Sequence, residues 1–268
     1  MGLLKILYCG DIIGRAGRNV IIKHLKAIKE KYAIDAVIVN GENAAHGFGL
    51  TPSIADDLLN AGADGITTGN HIWQQREIYP YLDQNKQIIR PLNYPETLPG
   101  KGWQILNING KKLLIAQVLG RLFMPPINSI TEPLDNLLKL YTLGKNIDAI
   151  LVDIHGEATS EKIALGYYLA GRVSVVAGTH THVPTADARI LPQGTGYITD
   201  VGMCGDFESV LGFEPTAPME RLAEKLTVQN RLTPANGKEL TLWGVLAEIN
   251  NNGQCVNITQ VKETFAND

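Results

Sequence analysis

Five short segments of the sequence carry the residue types that bind metal ions. Each combines glycine with aspartate, glutamate, asparagine or histidine, and together they contain four of the six histidines. The segments are Gly10-Asp11, Gly41-Glu42-Asn43, Gly69-Asn70-His71, His155-Gly156 and Gly178-Thr179-His180-Thr181-His182. Carboxylate and amide oxygens together with imidazole nitrogens suit first-row divalent cations. Because such cations activate water, these residues favour a metal-dependent hydrolase.

No one of these segments is specific for a metal ion. Asp11 alone is typical of a turn, Glu42 of a helix cap, and a single His155 of a hydrogen-bonded core imidazole. The pair His180 and His182 is more informative, because two histidines spaced two residues apart after a strand can reach different ions. The recurrence of such residues at one structural position is what indicates a metal site.

That structural position is the end of a predicted strand. The predicted strands span 3–9, 36–39, 65–68, 149–153 and 173–177, and the predicted helices span 20–32, 54–61 and 161–170. Strands that alternate with helices favour a parallel sheet with right-handed crossovers. Because ligands bind beyond the carboxyl ends of parallel strands, we expect the five segments to meet at one rim. Gly10-Asp11 is expected to end the first strand.

The middle and the end of the chain follow a different pattern. Two apolar runs at 103–108 and 112–118 flank Asn109-Gly110, which predicts a β-hairpin with a type I′ turn. A helix is expected over 134–141, and the late strand candidates are 187–191, 197–200, 240–249 and 254–261. A parallel core that gives way to hairpins predicts an α/β fold of two packed mixed sheets with flanking helices.

The composition suits one large globular domain over residues 1–268. Of the 268 residues, 44% are hydrophobic and 19% are charged, which allows a sizeable core. The net charge of −3 gives no basic surplus that would favour nucleic acid as a partner. The N-terminal apolar run is too short for a signal peptide or a membrane span. The three cysteines show no paired spacing, so we expect a cytoplasmic protein without disulfides.

The order of the five segments resembles the calcineurin-like metallophosphoesterase superfamily, whose pattern is Asp-x-His, Gly-Asp, Gly-Asn-His-Asp/Glu, His and Gly-His-x-His. Two positions depart from it, because Ile13 stands where the first histidine ligand is usual and Glu42 where an aspartate bridges the metals. With these departures, GDIIGRAGR at 10–18, GENAAHGFG at 41–49, GNHIW at 69–73, GTHTHVPTAD at 178–187 and TDVGMCG at 199–205 resemble the bacterial YmdB-like subfamily.

This resemblance implies a four-layer α/β/β/α sandwich and a two-metal centre that commonly holds iron. It also implies a homo-oligomer, such as a tetramer, and hydrolysis of 2′,3′-cyclic nucleotides. Residue by residue, one metal would be held by Asp11, Glu42, Asn43 and His182, and the other by Glu42, Asn70, His155 and His180. Glu42 would bridge the two metals, and the amide oxygen of Asn43 would replace the missing histidine.

A metal-bridging hydroxide would attack the phosphate ester, and His71 would serve as general acid or transition-state stabiliser. The metal segments alone do not separate a phosphodiesterase from a phosphomonoesterase or a protein phosphatase. Ile13 also leaves open a regulatory metal-binding module with weak catalysis. The donor set admits Fe, Mn, Zn or Mg, and iron ranks first through the resemblance.

Several polar residues near the predicted rim allow two interpretations each. His46, Arg15 and Arg18 either contact the substrate or serve only in loop packing and solvation. Asp200 either forms a turn or supports the histidines from behind, and the turn is the simpler expectation.

Overall fold

Two six-stranded sheets pack face to face, with helices on their outer faces. The computed structural model describes residues 2–223 and 231–267. The strands are β1 (Leu4–Ile12), β2 (Ala36–Asn40), β3 (Gly65–Thr67), β4 (Trp103–Ile108), β5 (Lys111–Leu119), β6 (Ala149–His155), β7 (Val175–Thr179), β8 (Arg189–Leu191), β9 (Thr195–Ile198), β10 (Met203–Gly205), β11 (Glu239–Ile249) and β12 (Cys255–Ala266). The α-helices are α1 (Gly14–Tyr32), α2 (Pro52–Asn60), α3 (Ile78–Gln84), α4 (Thr131–Leu140), α5 (Thr159–Leu169) and α6 (Thr216–Leu222). None of the helices in the described ranges combines the length and apolar character needed to cross a bilayer.

Both sheets are mixed. The first has the strand order β12-β11-β10-β1-β2-β3 and the second has the order β4-β5-β6-β7-β9-β8. As the sequence predicts, β1, β2 and β3 are parallel to one another. In the second sheet β5, β6, β7 and β9 are parallel. The antiparallel pairs β4–β5 and β11–β12 occupy one edge of each sheet.

The alternation of side chains along the strands explains the four layers. In β1, Leu7 packs under helices α1, α2 and α3, whereas Ile6 points into the core between the two sheets. In β5, Ile115 points into that same central core, whereas Leu114 packs under α4 and α5. Three apolar cores therefore separate four layers, in the order helices, sheet, sheet, helices. The α/β/β/α arrangement expected from the sequence is confirmed.

Local signals set several element boundaries where the sequence predicts them. The side-chain oxygen of Thr51 accepts a hydrogen bond from the backbone N–H of Ile54 at 3.3 Å, which caps the start of α2. Asn109 and Gly110 have φ values of 52° and 82°, as a type I′ turn requires. The predicted hairpin is therefore confirmed.

Several predicted strand boundaries are wrong. β6 runs to His155 and β7 spans Val175–Thr179, where strands were expected over 149–153 and 173–177. Gly10-Asp11 does not end the first strand, because β1 continues to Ile12. Its last two residues, Asp11 and Ile12, pair with Met203 and Cys204 of β10. The sequence pattern did not predict β10, nor the short helices α3 and α6. β10 has only three residues, too few to show a periodicity.

Candidate metal centre

The carboxyl ends of parallel strands from both sheets meet at one end of the sandwich. β1 carries the first predicted ligand, β2 and β3 lead into the next three, and β6 and β7 bring the three histidines. The predicted rim is therefore shared by two sheets. The structure places all seven predicted metal ligands at this end: Asp11, Glu42, Asn43, Asn70, His155, His180 and His182.

One donor group surrounds the ring of His155, which is fully buried. Its Nε2 atom lies 3.0 Å from Glu42 Oε1, 3.1 Å from Asn70 Oδ1 and 3.1 Å from His180 Nδ1. Imidazole nitrogens bind first-row cations at about 2.0–2.1 Å, so neighbouring ligands at right angles lie about 3 Å apart. The four donors therefore have the spacing expected around one cation.

A second donor group contains Asp11, Glu42 and His182, each at most 8% exposed. Their ligand atoms lie within 4.8 Å of one another, as do those of Glu42, His155 and His180. Glu42 belongs to both groups. A carboxylate common to two donor groups is the arrangement that a metal pair with a bridging ligand needs.

Two buried oxygens at this place show that the residues fit a cation. Asp11 Oδ1 and Asn43 Oδ1 find no hydrogen-bond donor anywhere in the described part of the chain. The amide nitrogen of Asn43 donates to the carbonyl of Gly47 at 2.9 Å, which leaves its oxygen for the site. A buried acceptor without a partner costs about 1–3 kcal/mol, and a cation would remove that cost.

Hydrogen bonds behind the ligands set the tautomers of two histidines. The Thr179 hydroxyl donates to Asp153 at 2.7 Å, so it accepts from Nδ1–H of His155 at 2.9 Å. His182 Nδ1 donates to the carbonyl of Leu211 at 2.8 Å. Both rings therefore present Nε2 to the site, and such supporting hydrogen bonds are usual for metal-binding histidines.

The ionisable side chains at the site shift one another's pKa values. Burial lowers the pKa of His155, but the carboxylates of Glu42, Asp11 and Asp153 more than offset this effect and raise it to about 9. Burial raises the pKa of Glu42, but the neighbouring imidazoles, led by His155, lower it to about 2. For His180, burial and the charge on His155 lower the pKa to about 3. A cation bound at His155 would take the place of the proton on Nε2.

The backbone of the histidine loop is strained. His180 and His182 have φ values of 102° and 64°, in a region that residues other than glycine rarely adopt. Each such residue costs about 1–3 kcal/mol and persists only where its surroundings hold it. The N–H of His180 donates to Asp11 Oδ2 at 2.9 Å, which is one of the contacts that hold the loop.

His71 lies beside the donor groups and belongs to neither of them. Its backbone N–H donates to Glu42 Oε2 at 3.2 Å, and its ring packs edge-on against Phe48 with centroids 5.1 Å apart. Its Nδ1 atom has no partner within residues 2–223 and 231–267. Burial lowers the pKa of His71 below its ordinary value, which favours the neutral ring.

A cavity of about 660 Å³ opens onto the donor groups and His71. Its other wall is apolar and includes Phe48, Val210, Leu211 and Phe213. The rings of Phe48 and Phe213 stack with centroids 5.5 Å apart. The sequence pattern did not predict this wall. Its only local signal was Phe48 in the glycine-rich segment 41–49, because residues 210–213 carry no motif.

The ambiguous residues at the rim have different positions. Arg18 donates to the carbonyl of Ala44 and so supports the 41–49 loop, whereas Arg15 and His46 are exposed. None of these three is among the described residues that line the cavity. Ile13, at the position of the missing histidine, is buried against Gly212. Asp200 accepts hydrogen bonds from both the N–H and the hydroxyl of Thr181, so it supports the histidine loop.

The chain is similar over most of its length to one protein family and to several known proteins. Residues 7–261 match the family described as YmdB-like protein. The chain is 43% identical over 265 residues to a 2′,3′-cyclic-nucleotide 2′-phosphodiesterase of Bacillus subtilis, covering 99% of this chain and 98% of the relative. A solved structure described as a novel phosphatase of Mycoplasma pneumoniae is 34% identical, with a TM-score of 0.90 and coverage of 100% and 95%. A hypothetical protein from Thermus thermophilus is 39% identical, with a TM-score of 0.88 and coverage of 99% and 100%.

Proposed function

The chain belongs to the YmdB-like protein family, and from that premise we propose that it hydrolyses 2′,3′-cyclic nucleotides at a centre of two metal ions. Phosphoester hydrolysis is the activity named for the relatives from Bacillus subtilis and Mycoplasma pneumoniae. This chain is a phosphoesterase of the same family. The cyclic nucleotide as substrate and the roles of individual residues are the parts that we propose.

The observation that carries the proposal is the carboxylate of Glu42, which belongs to both donor groups. We assign Asp11, Asn43 and His182 to one cation and Asn70, His155 and His180 to the other. Two cations held in this way lower the pKa of water and neutralise charge on phosphate oxygens. The unpartnered oxygens of Asp11 and Asn43 support this assignment, as do the Nε2 atoms that His155 and His182 present to the site.

His71 is proposed to act on the leaving oxygen of the ester. It lines the same cavity as Glu42 and His180 and has an unpartnered ring nitrogen. Burial lowers its pKa, so a neutral ring that donates a hydrogen bond fits better than a protonated general acid. Its backbone hydrogen bond to Glu42 fixes its distance from the metal ligands.

The apolar wall favours a substrate with a planar organic group. Phe48 and Phe213 lie in the same cavity as the metal ligands, and Phe48 contacts His71. A base stacked on an aromatic side chain contributes about 1–3 kcal/mol to binding. A cyclic nucleotide could therefore place its phosphate at the donor groups and its base against Phe48.

The test combines metal analysis with a panel of substrates. Protein purified without chelators should contain about two metals per chain, as a two-metal site requires. Iron is expected from the family resemblance, and Mn, Zn or Mg are the alternatives that the donors admit. Turnover should be fastest for 2′,3′-cyclic AMP among 2′,3′-cyclic AMP, 3′,5′-cyclic AMP, 5′-AMP and a phosphopeptide.

Glu42→Gln should reduce both the metal content and the turnover, because it weakens the shared ligand. Glu248→Gln is the matched control, since Glu248 lies on β11 and pairs with Lys5 at 3.7 Å. Faster turnover of 5′-AMP or of the phosphopeptide would overturn the substrate assignment. If Glu42→Gln still bound two metals per chain, the assignment of Glu42 as the ligand shared by both metals would be overturned. Light scattering of the same preparation tests the expected homo-oligomer.

A further inference from the structure

A fully buried ion pair lies behind the loop that carries His180 and His182. Lys162 is on the first turn of α5 and Asp200 follows β9, and neither is exposed to solvent. The Lys162 ammonium donates to Asp200 Oδ2 at 2.8 Å and to the backbone carbonyl of Thr179 at 2.7 Å. Lysine is almost never fully buried unless it is paired, because its desolvation is costly.

The same carboxylate holds the centre of the histidine loop. Asp200 Oδ2 accepts the N–H of Thr181 at 3.0 Å and the Thr181 hydroxyl at 2.8 Å. Asp200 Oδ1 accepts the N–H of Gly202 at 2.8 Å. Thr181 is the one residue between the two histidines, and Lys162 holds Thr179 just before them. The ion pair therefore contacts the loop at two points.

The loop needs this support because of its backbone. Both histidines have positive φ values, at 102° and 64°, and they flank Thr181 directly. Conformations of this kind persist only where surrounding contacts impose them. His180 is also tied to Asp11, and His182 to Leu211, but each of those bonds restrains one histidine alone.

We propose that Lys162 and Asp200 are positioning residues that set the two histidines together and thereby couple the affinities of both metal sites. The inference rests on the proposed two-metal centre. His180 belongs to one donor group and His182 to the other, so a single buried pair acts on both. Without Lys162, the Asp200 carboxylate would be buried without a countercharge. The loop would then leave its strained conformation, because the carboxylate would become exposed to water.

The experiment measures Mn²⁺ binding at both sites by calorimetry and electron paramagnetic resonance. Lys162→Met keeps the apolar stem and removes the charge. It should weaken both sites in parallel by about 10–100-fold, the usual cost of losing support behind metal ligands. The double variant Lys162→Met with Asp200→Asn leaves no charge on either side chain, and the amide oxygen at position 200 can still accept from Thr181. It should therefore bind Mn²⁺ more tightly than Lys162→Met alone.

Thr195→Val is the control for a general loss of stability. Thr195 is buried in the same sheet, and its hydroxyl makes two hydrogen bonds, to Val173 and Gly171, away from the donor groups. Thr195→Val should leave Mn²⁺ affinity unchanged. If Lys162→Met binds Mn²⁺ as the control does, or loses only one site, the coupling is overturned.

A milder variant provides a second test in case Lys162→Met does not fold. Thr181→Val removes the hydroxyl bond to Asp200 and leaves the buried pair intact, and it should weaken both sites to a smaller extent. Hydrogen exchange of metal-stripped protein supplies a readout that needs no bound metal. Lys162→Met should speed exchange at 179–183 and leave 195–198 unchanged.

The two ideas fail in different ways. A wild-type protein that is purified without metal and binds neither Fe²⁺ nor Mn²⁺ would overturn the proposed function. Unchanged exchange at 179–183 in Lys162→Met would overturn the positioning role, whether or not the wild type binds metal.

Discussion

Gly69→Ala tests the site geometry without removing any ligand. A Cβ atom at position 69 would lie 2.0 Å from Glu42 Oε2 and 2.5 Å from His155 Nε2. Cβ contacts shorter than 3.0 Å are essentially never observed, so the Glu42 carboxylate must move by at least 1.0 Å. Gly69 is not among the residues with positive φ, so alanine brings no backbone strain of that kind.

The displacement determines the expected size of the effect. A misplacement of about 1 Å in a positioned active site costs on the order of 100-fold in rate, which corresponds to about 2.7 kcal/mol. Because Glu42 belongs to both donor groups, both metal sites should weaken together. We expect kcat/KM for 2′,3′-cyclic AMP to fall by about two orders of magnitude, given that geometry.

The assay compares kcat/KM, Mn²⁺ affinity and melting temperature for wild type, Gly69→Ala and Gly156→Ala. Gly156 adjoins His155, but a Cβ there would meet only Gly120 atoms, at 3.1 Å and beyond, so it controls for an added methyl group near the site. Gly156→Ala should keep most of the activity. If Gly69→Ala kept wild-type activity and both metals, the donor arrangement around Glu42 would be refuted.

Three further predictions address the other parts of the site. His71→Ala should lower kcat by about 100–1,000-fold, the range for losing one hydrogen-bond donor to charge that develops in the transition state, while metal content stays unchanged. His24→Ala is the control, because His24 lies on α1 and is not among the described residues that line the cavity. Equal loss of metal would contradict the assignment. Phe48→Ala should raise KM for 2′,3′-cyclic AMP by about 10–100-fold through lost stacking. Phe265→Ala is the control, because Phe265 lies on β12 and is not among the described residues that line the cavity. An unchanged KM would exclude Phe48 from base binding. Burial lowers the pKa of His155, but Glu42 raises it to about 9, so protons compete with the metal below that pH. The apparent Mn²⁺ affinity should therefore rise about tenfold per pH unit from pH 7 to 9 and level off above pH 9. An affinity independent of pH would contradict the competition between a proton and the metal at His155.

The residue types of the site, and most of the elements that carry them, could be predicted from the sequence. Strand and helix periodicities are local, so the parallel order of β1, β2 and β3 could be predicted from short windows. The hairpin could be predicted for the same reason, because the turn at Asn109-Gly110 depends on two residues alone. The family pattern then supplied the proposed ligand set, whose residues the structure brings to one end of the sandwich.

Other features depend on contacts between residues that are far apart in the chain. β1 reaches Ile12 because β10, about two hundred residues later, pairs with its last two residues. The apolar wall at 210–213 faces Phe48 only after the chain has folded, and nothing in its composition sets it apart.

The clearest case is the loop from His180 to His182. Its sequence shows two histidines, but its strained backbone is held by Asp200, which Lys162 neutralises from a helix in another part of the chain. The sequence therefore determined which donors are present. The orientation of these donors depends on the folded chain, because backbone strain persists where buried contacts from distant segments offset its cost.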